Sequence, residues 1–474
     1  MTEFEWDDDN DEQTPKDLDE TLRKYRESFR SGTWQNGAPS PEALEMIVHY
    51  CIESQKFDDA LTFAAMWKDA VPYSSDAWHK YGIALSGLQR WDEALKAYER
   101  ATELDPVDTD LMINRGMALE QLGRIDEAME LIEQALRQDA DHPDALFTKA
   151  LILQHHGKFD EAMRILRYIG KNEVFARDTR YEIAFCLEQL NREAEAMVIY
   201  NELIDRDPYD SNAWFNLGVL YGRRGSQRLA ADTYEMALAI KPDFTAAWYN
   251  LGNAYATQGK LDKAIEAYRQ GIACDPADVA MLYNLATTLE ELGDFKQALE
   301  VFTETILRAP ENAQALYGRG TCHEALEQYE LAIADYDKAL SIKPDAADVW
   351  YAKADALFNL RNVNDALHCY HRALALAPDD VECWHDYGAT CLEAGNETEA
   401  MRAFGECMRI DPDWPDGYMA MAKLHCLRQE FEEAATYLQT AYRLDSTLAR
   451  EFEREFGRVV GPWGMELLRS LLQL

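Results

Sequence analysis

The sequence predicts an all-α fold, a right-handed superhelical solenoid of about twelve helix pairs. Three observations predict it. Steps of 34 residues from Gly252 meet only Gly or Ala between Gly82 and Ala422. The same step from Ala264 meets Ala at every stop from Ala60 to Ala434. Pro recurs in one phase, at Pro106, Pro208, Pro242, Pro276, Pro310, Pro344, Pro378 and Pro412. A register kept this long without insertion or deletion marks units that each bury one face against the next.

The units start at residues 41, 75, 109, 143, 177, 211, 245, 279, 313, 347, 381 and 415, and positions below are counted from those starts. Helix A is expected over positions 2–14 and helix B over positions 18–31. Gly near position 15 (Gly123, Gly157, Gly225, Gly259, Gly293, Gly395) suits a left-handed end to helix A. Pro at position 32 ends helix B, because the residue before a proline is pushed out of the helical region. Small residues at positions 8 and 20 let the two helices approach closely. Trp at position 4 (Trp78, Trp214, Trp248, Trp350, Trp384) and Tyr at position 24 (Tyr98, Tyr200, Tyr234, Tyr268, Tyr336, Tyr370) are expected to fill the space between units.

The stretch Trp248–Pro276, WYNLGNAYATQGKLDKAIEAYRQGIACDP, carries Trp248, Leu251, Gly252, Tyr255, Gly259, Ala264, Tyr268, Gly271 and Pro276. In pattern and spacing it resembles the tetratricopeptide repeat, a 34-residue helix-turn-helix unit. Two regions depart from it. The first unit has Val48 where the small residue belongs. Around Ile169–Thr179, Gly170, Lys171 and Asn172 interrupt helix B and Arg180 replaces the position-4 aromatic, so a shortened helix is expected.

Three regions follow: residues 1–40 as an acidic, largely disordered tail, 41–448 as the solenoid, and 449–474 as capping helices. Within the first twenty residues ten acids face one base, Lys16, and such a segment cannot bury enough apolar surface to order itself. Leu18, Leu22, Tyr25 and Phe29 keep helical spacing beyond it. At the other end Ala449–Val460 reads as a helix, Gly461, Pro462 and Gly464 break it, and Leu467, Leu468, Leu471, Leu472 and Leu474 make the rest apolar. That last helix is either a cap over the final repeat or a docking element.

Composition narrows the partners. The net charge of −39 over 474 residues argues against nucleic acid, whose phosphates need Lys and Arg, and against anionic membrane surfaces. It suits a partner with a basic segment. Nine cysteines without a CxxC pair point to free thiols in a reducing compartment. No apolar run approaches the roughly 20 residues of a spanning helix. A cytoplasmic protein is expected.

No catalytic constellation emerges: GxxxxGK[ST], HExxH and GxSxG are absent. His368 and His371 lie three apart without a second half at metal-site spacing. No enzyme activity, metal or cofactor is expected.

At 100° per residue, positions 4, 7, 8 and 11 share the packed side of helix A, and positions 2, 5, 6, 9, 12 and 13 lie roughly opposite. The resemblance implies that the second set lines the concave surface of the superhelix. Position 5 is then Phe147, Tyr181, Phe215, Tyr249, Tyr283, Tyr317 and Tyr351. These rings either contact a ligand or pack against the neighbouring helix A. Position 6 gives Asn114, Asn216, Asn250 and Asn284, interrupted by Thr148 and Glu182. An amide donates and accepts at once, and such a row is similar to the asparagine ladder of O-linked N-acetylglucosamine transferases, which implies a clamp on an extended peptide backbone. Glu290, Glu291 and Glu324 add negative charge to this face. The reading is a non-catalytic scaffold holding an extended, basic peptide segment. The alternatives are a regulatory or substrate-selecting subunit of an enzyme complex and a self-assembling structural subunit.

Overall fold

A computed structural model describes residues 22, 23, 26, 27 and 39–472. Most of the acidic tail therefore lies outside the described residues. Every regular element among those described is helical, and consecutive helices pack as pairs. The chain divides between Tyr209 and Asp210 into two compact units.

The helices start one residue earlier than the sequence suggested. Helix A runs over positions 1–13, as in Thr245–Thr257, and helix B over positions 17–30, as in Leu261–Cys274. The cap explains the shift. The residue before position 1 is often Ser, Asp or Asn, and its side chain accepts from the backbone N–H three residues on: Ser40, Ser74, Asp108, Asp210, Asp278, Asn312 and Asp380 all do this.

Helix A ends the same way in all twelve repeats. Position 15 has positive φ whether it is Gly, as at Gly259 (69°), or Gln55, Gln89, Asn191, Glu327, Arg361 or Gln429, at 55–62°. The next N–H then reaches back to position 11, as Lys260 N does to Tyr255 O at 3.0 Å. This is a Schellman closure. The turn is thus set by backbone geometry, and six repeats accept it without glycine.

Packing follows the small residues. The twelve alanines at position 20, from Ala60 to Ala434, are fully buried. Tyr98, Tyr268, Tyr336 and Tyr370 at position 24 are buried as well, and the first three lie over the glycine at position 8 of their own pair, Gly82, Gly252 and Gly320. A Cβ added at Gly252 would stand 2.6 Å from Tyr268 Cδ1, inside van der Waals contact. The position-4 tryptophans are only half-buried. The indole N–H groups of Trp78, Trp248, Trp350 and Trp384 donate to the carbonyl of the preceding position-32 proline, Trp248 to Pro242 at 2.8 Å and Trp384 to Pro378 at 2.8 Å, and so tie one pair to the next.

In the compact unit that ends at Tyr209, helix B of the repeat starting at 143, Phe159–Ile169, has 11 residues where the others have 14, and a short 3₁₀ turn at Glu173–Phe175 follows. At the start of that unit, Leu22 is buried with Leu44, Ile47 and Phe63, and Arg26 Nε donates to Asp59 at 2.9 Å. In the second unit, Leu448–Leu472 is helical on both sides of a kink at Gly461 (φ 75°) with Pro462 following. Leu448, Phe452, Met465 and Leu468 are buried against Leu438 and Ala441 of the last pair.

Candidate functional site

The opposite face of helix A is best developed within residues 210–474. Its position-5 rings are half-buried. Four of them pack against the position-24 ring of helix B in their own pair, and Phe215 also meets Phe244, the residue before the next helix A, at 4.7 Å between ring centroids. Ring centroids are 5.8 Å apart for Phe215–Tyr234, 6.1 Å for Tyr283–Phe302, 5.9 Å for Tyr317–Tyr336 and 6.1 Å for Tyr351–Tyr370. In the other unit Tyr181 meets Tyr200 at 6.1 Å. Tyr249 and Phe147 are half-buried too.

The buried position-24 tyrosines carry a hydroxyl that must find an acceptor. For Tyr200, Tyr268, Tyr336 and Tyr370 it is supplied from position 9 or 12 of helix A. Tyr268 Oη donates to Asn253 at 2.6 Å, Tyr336 to Glu324 at 2.8 Å and Tyr370 to Asp355 at 2.5 Å. In the N-terminal unit Tyr200 donates to Glu188 at 2.8 Å. The position-5 hydroxyl of Tyr351 instead reaches the next pair and donates to Asp386 at 2.7 Å.

The four asparagines are not equivalent. Asn114, in the N-terminal unit, lies 2.9 Å from His79 Nε2. Asn284 donates to Asn253 Oδ1 at 2.9 Å, sharing that acceptor with Tyr268. Asn216 and Asn250 make no such bond among the described residues. Their polar atoms still reach solvent, since Arg115 Nε is the only fully buried side-chain polar atom without a partner among the described residues.

Four half-buried carboxylates line the same face: Glu290, Glu324, Asp355 and Asp386. Thr321 donates to Glu290, Tyr336 to Glu324, and Tyr370 to Asp355. Asp386 is held by Tyr351 and lies 3.0 Å from His385 Nδ1. None has a Lys or Arg partner among the described residues. Burial raises the Glu290 and Glu324 carboxyls above the usual carboxylate range. Asp355 is pushed up to about 7 by burial, with the charges of Asp386 and Glu324 adding to it and the Tyr370 bond opposing. At Asp386 burial pushes upward, but the bonds from His385 and Tyr351 outweigh it and leave the group low. Glu291 is exposed.

Position 9 was missed by sequence reasoning as a bonding position. The signal was present, because an acceptor at position 9 or 12 accompanies Tyr268, Tyr336 and Tyr370. Chemically, this face combines aromatic edges, open amides and uncompensated negative charge. Among the described residues no helix is long and apolar enough to cross a membrane.

Comparison with known families agrees with this architecture. Tetratricopeptide repeat models match residues 81–143 and 283–347, 119–177, 178–208, 223–259 and 245–278. The middle TPR-like domain of cilia and flagella-associated protein 70 matches residues 354–465. The chain is a tetratricopeptide repeat protein. No curated protein sequence matches it. Among solved structures it is similar to the APC/C hetero-tetramer Cut9–Hcn1, at 15% identity over 86% of this chain and 94% of that one, TM-score 0.39. YrrB, described as a TPR protein with an unusual peptide-binding site, shares 20% identity over 40% of this chain and 96% of its own, TM-score 0.37. MamA from Desulfovibrio magneticus RS-1 shares 19% identity over 35% of this chain and 95% of its own, TM-score 0.35.

Proposed function

We propose that this protein is a non-catalytic interaction scaffold whose residues 210–474 hold an extended peptide segment rich in Lys and Arg. One observation carries the reading. Glu290, Glu324, Asp355 and Asp386 are half-buried carboxylates bonded by hydroxyls and, at Asp386, by the His385 imidazole, with no Lys or Arg paired to them among the described residues. Partial burial of charge without a counter-charge is costly, and cationic side chains of a ligand would relieve it.

Asn216 and Asn250 have amides open to a ligand backbone, and Asn284 retains a second N–H beyond the one given to Asn253. The ladder is therefore read as a short one, with Asn114 serving its own unit. The rings of Phe215, Tyr249, Tyr283, Tyr317 and Tyr351 would offer apolar walls to the aliphatic stems of Lys and Arg.

Fluorescence anisotropy tests this with the intact chain and two labelled, unstructured peptides of equal length. One carries Lys and Arg at alternate positions, the other Glu. The basic peptide should bind saturably, and its affinity should fall with salt. Equal binding of both peptides, or of neither, would overturn the reading.

A further inference from the structure

We propose that Glu45, His49 and Asp76 form a site for a divalent transition-metal ion that ties the first helix pair to the second. Glu45 and His49 are one helical turn apart on Pro41–Glu53 and so face the same way. Asp76 stands in the first turn of Ser75–Gly87, the first helix of the next pair. One ligand atom from each of the three lies within 4.8 Å of the others. Tetrahedral zinc holds such ligands at about 2.0–2.2 Å, and the three side chains, exposed or half-exposed, would rotate inward to close the triangle.

Two features distinguish this group from an ordinary acidic surface. None of the three makes a hydrogen bond or ion pair with another described residue, so two carboxylates meet with no Lys or Arg paired to them among the described residues. One donor is an imidazole, which suits zinc, copper or nickel and not the oxygen-only preference of magnesium or calcium. The location also gives such an ion a task. This terminal pair has Val48 where other repeats carry the small residue that lets the two helices close, and a bound ion would add a cross-link between the two pairs. Binding to the folded form alone stabilises it by mass action.

Isothermal titration of the intact chain with Zn²⁺ tests the site, with His49→Ala and Glu45→Gln for comparison. Other histidines can take zinc weakly, so the readout is the difference between proteins. Wild type should bind one more equivalent than His49→Ala, and Glu45→Gln should weaken that equivalent at least tenfold. Hydrogen exchange of residues 41–53 should slow on adding Zn²⁺ in wild type and not in His49→Ala. Equal titrations of all three proteins would overturn the proposal. So would an identical protection produced by Mg²⁺ at the same concentration, which would mean simple screening of acidic charge.

Discussion

Replacing Asp355 with Asn should stabilise the protein at pH 8 and remove a pH dependence that the wild type shows. Asp355 sits half-buried between Tyr370, Asp386 and Glu324, and its carboxyl is raised from 3.8 to about 7, chiefly by burial. A group whose folded value is raised favours folding below its unfolded value and loses that contribution as pH rises through the folded one. The window is therefore pH 4 to 7, and above it the folded state carries an ionised carboxylate in a poor environment. At 1.36 kcal/mol per unit the shift corresponds to about 4 kcal/mol. Solvent still reaches one edge of the group and screens it, so about 2 kcal/mol is the working figure. Asn keeps the oxygen that accepts from Tyr370, so the buried hydroxyl stays satisfied. Hydrogen exchange of Ala347–Asn359 and Val363–Leu376 at pH 5.5 and 8.0 measures this locally, which a repeat array requires. Protection, corrected for intrinsic exchange, should fall with rising pH in wild type and stay nearly flat in Asp355→Asn. If the variant is less protected at pH 8, the carboxylate is stabilising and the reasoning fails. The same group links to ligand binding: a cation favours the ionised form, so affinity for a basic peptide should rise between pH 6 and 8.

Three further outcomes follow from the repeat geometry. Gly252→Val should destabilise its pair by about 1–3 kcal/mol, because the side chain meets the buried Tyr268 ring; Gly252→Ala should cost less, since Ala is the smaller side chain and Ala286 holds the same position in the next repeat, and denaturant melts compare them. Asn284→Ala should lose about 0.5–1.5 kcal/mol of stability with its bond to Asn253, whereas Asn216→Ala and Asn250→Ala should leave stability unchanged within about 0.5 kcal/mol and weaken peptide binding instead. Glu327→Gly should stabilise by about 1 kcal/mol in the same melts, because Glu327 holds a left-handed conformation (φ 59°) that costs a side-chain-bearing residue about 1–2 kcal/mol.

The repeat was legible because its physics is periodic. Ala at position 20 and Gly or Ala at position 8 are dictated by close helix approach, and Pro at position 32 by chain exit, so each left a mark every 34 residues. The left-handed turn at position 15 was half legible: six glycines announced it, while Gln89 and Arg361 adopt it under the demands of packing on both sides. The helix starts were off by one because the capping side chain, such as Asp278 or Asn312, lies in the preceding unit by this count. The site was less legible. A helical wheel placed Asn284, Glu324 and Tyr351 on one face of helix A, yet it could not tell that Asn284 is bonded to Asn253, or that Glu324 serves Tyr336. Those pairings join helix A to helix B or to the next pair, and single-helix periodicity carries no such information.

The central claim is that uncompensated carboxylates on one face of residues 210–474 select a basic segment. The most direct measurement is the affinity of the labelled basic peptide for wild type and for a variant with Glu290→Gln, Glu324→Gln, Asp355→Asn and Asp386→Asn, followed over a range of salt concentrations. The account predicts at least tenfold weaker binding by the variant, about 1.4 kcal/mol, and a flatter salt dependence, with helicity by circular dichroism unchanged. A folded variant that binds the peptide as tightly as wild type, with the same salt dependence, would contradict it.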